Sequence, residues 1–167
     1  DAASLPLIDD FVMGFISTEA HAVNLLAAAD ADASPVVQAY CATLHLFAES
    51  REAVANARPF LDKALAGAAR ATPRERRYIE AIEAWAQGDI ARAIALHAEQ
   101  AREHPRDLVS VKLGQYHCFN TGDCPGMLRL ALAVLPHAAD VPYVHGMAAF
   151  GYEQCHLMRG AEASARQ

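Results

Sequence analysis

The sequence predicts an all-α protein, built as a right-handed α-solenoid of antiparallel helix hairpins. Three observations predict it. Gly88-Asp89 recurs as Gly122-Asp123, thirty-four residues later, each time between two alanine-rich amphipathic stretches. A fixed period of that size is the mark of stacked helix pairs, none of which buries its apolar face alone. A second alignment, offset by 37, matches Pro105 with Pro142, Leu113-Gly114 with Phe150-Gly151, and Cys118 with Cys155. The composition is 53% hydrophobic but only 7% aromatic. Alanine supplies much of that difference; it is the strongest helix former and lets helices approach closely.

The elements follow in order. From Asp9 to about Ala31 one helix is expected, with Phe11, Phe15, Val23, Leu26 and Ala27 inward and a kink or split at Gly14 or Ser17-Thr18. Ser34-Pro35 opens the second helix: the serine accepts from the first-turn amides, and proline at the first helical position gives up no needed donor. Val37, Tyr40, Cys41, Leu44 and Phe47 or Ala48 follow at helical spacing. From Arg51 to Arg70, Val54, Ala57, Leu61, Ala64, Leu65 and Ala68 share a face, and Pro59 predicts a kink or a fresh start after Arg58. Thr72-Pro73-Arg74-Glu75 has the form of a capping box. The helix behind it carries Tyr78, Ile79, Ile82 and Trp85 and stops at Gly88.

Asp89 caps the fifth helix, with Ile90, Ala93, Ile94, His97 and Ala101 inward, and Pro105 ends it. The sixth runs from Leu108 to Thr121, stopped by Gly122. Asp123 caps the seventh, with Met127, Leu128, Ala131, Leu132 and Leu135 inward and Pro136 weakening its last turn. Pro142 begins the eighth, which reaches about His156, and a ninth starts near Arg159 or Gly160. The hairpins therefore pair as 34–70, 73–105, 107–139 and 142–167, after an N-terminal helix at 9–31. Their short connections force antiparallel pairs. Residues 1–167 read as one repeat domain, and further repeats or a capping helix are expected beyond Gln167.

Charge and cysteine content narrow the function classes. Fourteen basic and 20 acidic residues leave a net charge of −6, the wrong sign for a nucleic-acid partner. The densest basic run, Arg74, Arg76 and Arg77, is interrupted by Glu75 and followed by Glu80 and Glu83, which describes a solvated helix face. Cys41, Cys118, Cys124 and Cys155 contain no Cys-x-x-Cys pair and read as reduced thiols, so a cytoplasmic location is expected. No uncharged apolar window of about 18 residues exists, and no basic-then-apolar leader precedes Asp9, so no membrane partner is expected.

In the stretch Arg74 to Asp107, Gly88 stands fifteenth, Ala93 twentieth and Pro105 thirty-second. This spacing resembles the tetratricopeptide repeat. Ala-Thr-Pro-Arg-Glu-Arg at 71–76, Trp-Ala-Gln-Gly-Asp at 85–89, His-Pro-Arg-Asp-Leu at 104–108 and Gly-Met-Ala-Ala-Phe-Gly-Tyr-Glu-Gln-Cys at 146–155 resemble, more narrowly, the tetratricopeptide repeat protein 38 family, over roughly residues 10 to 167. The resemblance implies helical repeats whose first helices line a concave groove. It implies no named activity.

Counting the groove positions of such a repeat from Arg74 gives Glu75, Tyr78, Ile82, Trp85 and Ala86. From Leu108 the count gives Val109, Lys112, Tyr116, Phe119 and Asn120, and from His145 it gives Gly146, Ala149, Glu153, His156 and Leu157. The candidate ligand surface is Tyr78, Trp85, Tyr116 and Phe119, flanked by Lys112, Asn120, Glu153 and His156. The competing assignment packs Trp85 and Phe119 between hairpins. Lys112, in an otherwise apolar helix, either snorkels to solvent or meets an anion such as a peptide carboxylate; Glu153 either meets the ligand or pairs with Lys112.

No catalytic residue, metal or cofactor is assigned. Cys41 and His45, which share a helix face, with His117, Cys118, Cys155 and His156 tempt a metal reading, but the adjacent pairs His117-Cys118 and Cys155-His156 diverge by about 100° and each readily offers at most one ligand, and no His-Glu-x-x-His or paired-cysteine spacing occurs. No Gly-x-Ser-x-Gly elbow or glycine-rich phosphate loop occurs. The expected function is a scaffold that binds a protein or peptide in its concave groove. The alternative is an enzyme or small-molecule binder whose groove site is completed by further C-terminal repeats. Homo-oligomerisation through an exposed apolar end is a third reading.

Overall fold

A computed structural model describes residues 2–167. Among these residues every regular element is helical: nine α-helices and three 3-10 segments. The chain forms two compact units, residues 1–96 and 97–167, divided inside the fifth α-helix.

The first unit opens with α1, Leu5–Ser17, and a 3-10 stretch, Ala20–Ala28. The single helix expected at 9–31 is therefore two elements, and the first begins four residues earlier. The break falls at Thr18, whose φ of 62° is left-handed. The Glu19 amide donates back to the Gly14 carbonyl at 2.8 Å, closing the turn. Gly14 permits the fold-back, because a Cβ there would lie 2.6 Å from the Ala22 nitrogen. A 3-10 segment has three residues per turn, so its inner face changes phase: Leu25 and Ala28 are buried, whereas Val23 and Ala27 are exposed.

The second helix, α2, spans Pro35–Phe47 and begins where expected. Ser34 does not cap it with its side chain. Instead the Ser34 amide donates to Asp32 Oδ1 at 2.8 Å, and Gln38 Nε2 donates to the carbonyls of Ala29 and Asp32 at 2.7 and 2.8 Å. The next helix, α3, spans Ala53–Gly67 and runs through Pro59 without a new start. Pro59 and Ala55 are both exposed, so the carbonyl that loses its helical donor faces water. The buried face of α3 is Ala53, Ala57, Leu61, Ala64 and Gly67, while Val54 and Leu65 are exposed. Small side chains on that face let α3 lie close against α2.

The fourth helix, α4, spans Pro73–Ala86 behind a complete capping box. Thr72 Oγ1 accepts from the Glu75 amide, and the Glu75 carboxylate accepts from the Thr72 amide at 2.8 Å. The core of this unit is an aromatic file. Phe11 stacks on Tyr40 at 4.5 Å, Phe15 meets Phe47 edge-on at 5.0 Å, and Tyr40 meets Tyr78 edge-on at 5.1 Å.

The fifth helix, α5, spans Ile90–Glu103 and carries the division between units. The second unit continues with α6, Leu108–Asn120, α7, Cys124–Ala138, α8, Pro142–Gln154, and α9, Met158–Ala165. From α6 onward each helix packs on the next.

Three turns share one geometry. Gly88, Gly122 and His156 have φ of 78°, 77° and 57°. After each, an amide donates back to the carbonyl five residues earlier: Asp89 to Ala84 at 2.9 Å, Asp123 to Cys118 at 2.8 Å and Leu157 to Tyr152 at 2.9 Å. The turns recur at intervals of 34 residues. Asp89 Oδ1 accepts from the Arg92 amide and Asp123 Oδ1 from the Gly126 amide, as N-caps. In this frame the equivalent of Leu108 is Pro142, not His145. The equivalent of Gly151 is His117, so the pairs aligned at offset 37 are not structural equivalents.

Candidate functional site

In the 34-residue frame the α8 residues equivalent to Val109, Lys112, Tyr116, Phe119 and Asn120 are Tyr143, Gly146, Phe150, Glu153 and Gln154. Lys112, Tyr116, Phe119 and Asn120 form one stripe along α6, at helical spacing. The two stripes meet at Phe119 and Phe150, whose ring centroids are 5.4 Å apart with planes inclined at 43°. Both rings remain open to solvent, 44% and 43% exposed.

Two inward residues hold this arrangement. Buried Gln115, beside Tyr116, donates through Nε2 to the Met127 carbonyl at 2.9 Å and the Met147 carbonyl at 3.2 Å, tying α6 to both α7 and α8. At Gly151 a Cβ would lie 2.9 Å from Leu128 Cα, so α8 seats directly on the α7 backbone. The backbone contacts thus fix where the two phenylalanine rings stand.

Lys112 is half-buried, and burial pushes its ammonium pKa down. Its counterpart on α8 is Gly146, where a Cβ would meet no atom within 4 Å. The α8 surface is therefore open at Gly146. Asn120 and Glu153 are exposed. His156 is also exposed, but it is the left-handed residue of the α8–α9 turn rather than a member of the helix stripe.

The other two groove candidates lie in the first unit. Tyr78 is 2% exposed. Its hydroxyl is 2.8 Å from Thr43 Oγ1, and its ring packs edge-on against Tyr40. Tyr78 belongs to the core and offers no surface to a ligand. Trp85 is half-buried near the end of α4. Phe119 combines both roles weighed for it, packing against the next hairpin while keeping much of its ring in solvent.

A second cluster lies inside the second unit. His97 and His117 are both buried, with rings stacked 5.7 Å apart, and His97 Nδ1 is 2.7 Å from Ser110 Oγ. Burial holds both imidazoles neutral, pushing His97 down to about 3 and His117 down to about 4. The expectation for helix α5 put His97 inward; it did not foresee that α6 would bury His117 as well. Cys41 and Cys118 are buried, and their thiols are pushed up to about 11, away from nucleophile or metal-ligand chemistry. Among the described residues no three His, Cys, Asp or Glu side chains group to hold a metal ion. None of the described helices is long and apolar enough to cross a membrane.

Sequence reasoning missed Tyr143 and Phe150. The signal that reveals them is the turn at His156, which sets the 34-residue frame without the glycine that marks the two earlier turns. No protein-family model matches the chain, and neither does any solved structure.

Proposed function

We propose that this chain is a helical-repeat scaffold of the tetratricopeptide type, related to the tetratricopeptide repeat protein 38 family and stacked as an α-solenoid. It works in the cytoplasm and binds a segment of another protein along the stripe of its first helices. The three equivalent turns at 34-residue intervals support the repeat reading. The observation that carries the binding reading is the solvent-open Phe119–Phe150 pair on the same α6 stripe as half-buried Lys112. Paired exposed rings offer apolar area at low conformational cost, as interface anchors do. A lysine ammonium on the same stripe offers charge-assisted hydrogen bonds to an anionic group of the ligand. The ligand is then an extended segment with an apolar side chain on the rings and a carboxylate at Lys112, entering over Gly146. Asn120 and Glu153 orient its backbone.

The test is selection from a displayed random-peptide library with the purified chain. Enriched peptides should carry an apolar residue and an acid. They should lose affinity for Phe119→Ala and Lys112→Ala, while Tyr78→Phe leaves binding intact. Peptides that bind both groove variants as well as the parent would remove this assignment.

A further inference from the structure

Helices α7 and α8 are joined by residues 139–141 and pack side by side, so they run antiparallel. Their register is fixed at one point: a Cβ on Gly151 would lie 2.9 Å from Leu128 Cα and 3.3 Å from Leu128 Cβ. Helical spacing carries that register along both helices. Toward the connection, Ala131 comes level with Ala148, and Leu135 with Val144. In the other direction, one turn before Leu128 and one turn after Gly151, Cys124 comes level with Cys155.

Both cysteines are held in the helical frame. The Cys155 amide donates to the Gly151 carbonyl at 3.2 Å, and Asp123 Oδ1 accepts from the Gly126 amide at 2.8 Å, fixing the first turn of α7. Ala131, Ala148 and Gly151 are all buried, and such small residues let the two backbones approach closely. A disulfide asks for that closeness, since it spans Cα atoms about 5.5–6 Å apart. Cys124 and Cys155 are partly exposed, whereas Cys41 and Cys118 are buried. The pairing is particular to this junction. Thirty-four residues earlier the same two places hold Ile90 and Thr121.

We infer that Cys124 and Cys155 form a reversible disulfide, made by reaction with a hydroperoxide, that staples α7 to α8 at the end away from their connection. One thiolate attacks a peroxide oxygen and breaks the O–O bond. It becomes a sulfenic acid, and the other oxygen leaves as an alcohol, or as water when the oxidant is hydrogen peroxide. The second sulfur then attacks the sulfenic sulfur. The S–S bond forms, and the displaced hydroxyl leaves as water with the second thiol's proton. Two electrons pass from the sulfurs to the peroxide. A dithiol reductant restores both thiols by exchange. A reducing compartment keeps the pair open until the oxidant rises, the setting in which intracellular disulfides act as redox sensors. The closed loop of residues 124–155 opposes separation of α8 from α7. Neither cysteine belongs to the proposed peptide stripe, so the thiol chemistry and the peptide binding fail separately.

The experiment treats the dilute full chain with hydrogen peroxide, blocks the remaining thiols, and reads intact mass and a peptide map. It is run on the parent, Cys118→Ser, Cys124→Ser and Cys155→Ser, each checked for unchanged helical circular dichroism. The parent and Cys118→Ser should each form one bond within the molecule, with the loss of two hydrogens and a linked Cys124–Cys155 peptide pair that dithiothreitol separates. Cys124→Ser and Cys155→Ser should form none. Oxidation should raise the thermal midpoint of the parent and leave that of these two variants unmoved. The parent's map decides the matter even if a variant fails to fold. Thiols that stay unlinked, a bond to Cys118, bonds only between molecules, or a linked parent that melts no higher would each overturn the proposal.

Discussion

His97 and His117 stack at 5.7 Å in the interior of the second unit, at the position that Arg58 and Glu83 hold in the first, where a 2.9 Å ion pair joins α3 to α4. The equivalence follows from the left-handed turn residues. Glu49 to Gly88 is 39 residues, which carries Arg58 to His97, and Gly88 to Gly122 is 34, which carries Glu83 to His117. One junction between successive helix pairs is thus made once with a partly exposed ion pair and once with a fully buried aromatic pair.

This pair makes the second unit sensitive to acid. Both imidazoles have folded pKa values below their ordinary 6.5, about 3 and about 4. The fold favours the neutral rings, whereas the unfolded chain takes up protons first. Their stabilising contribution is therefore complete above pH 6.5 and falls away as pH drops toward the folded values. The loss rises to about 1.4 kcal/mol per pH unit for each ring within that window. Urea denaturation between pH 7 and 4.5, followed by a probe in the second unit, should show it. His117→Phe keeps an aromatic partner for His97 and should flatten the slope by about one proton. An unchanged slope in that variant would show that other groups govern acid unfolding.

The Thr43–Tyr78 contact sets a second expectation. Thr43 Oγ1 donates to the Ala39 carbonyl at 2.9 Å, so the tyrosine hydroxyl is the donor in the 2.8 Å bond between them. Tyr78→Phe removes that donor cleanly and should cost about 1 kcal/mol. Thr43→Val removes the acceptor of that buried hydroxyl and should cost more, about 2 kcal/mol. Chemical denaturation of both variants checks the order; a larger loss for Tyr78→Phe would reverse the assignment of donor.

Turn chemistry supplies the third. Gly122 has φ of 77°, and a Cβ would meet nothing within 4 Å, so only backbone strain opposes a side chain. Gly122→Ala should destabilise by about 1 kcal/mol. His156 pays that strain already at φ 57°, and His156→Gly should recover about 0.5 kcal/mol or more. Thermal unfolding would show shifts of opposite sign. A loss of stability in His156→Gly would mean that the imidazole makes a contact outweighing its backbone cost.

Legibility in the sequence tracked the range of the interaction. The Thr72–Glu75 box and the Gly88 and Gly122 turns are set by residues within one helical turn, and they stand where the sequence placed them. The α8 register was lost because His156 adopts the left-handed turn without glycine. The burial of His117 was unreadable for another reason. Helix α6 buries Leu108, Val109, Ser110, Val111, Leu113, Gly114, Gln115, His117 and Cys118, which cover most of its circumference. Only the narrow Lys112–Tyr116–Phe119–Asn120 stripe stays open, so with burial on most of the circumference period 3.6 cannot say which polar residue points inward. For the site, Lys112, Tyr116 and Phe119 emerged as one stripe, but Tyr78 occupied the equivalent position and proved to be core. Whether a stripe residue is buried depends on which helix packs against it, and no local pattern encodes that.

The two glycines of α8 separate packing from access. At Gly151 an added Cβ would meet Leu128 Cα at 2.9 Å, a backbone atom that cannot step aside. Gly151→Ala should therefore push α8 off α7 and cost about 2 kcal/mol through overpacking. At Gly146 the same methyl enters open space on an exposed helical face. Gly146→Ala should stabilise the helix by up to about 1 kcal/mol. A larger side chain tests the proposed entry path: Gly146→Leu should fold at least as well as the parent yet fill the open space over Gly146. Selected acidic peptides should then bind Gly146→Leu more weakly while binding Gly146→Ala nearly as well. Equal affinity for both variants would place the carboxylate elsewhere, because a ligand entering over Gly146 cannot share that space with a leucine side chain.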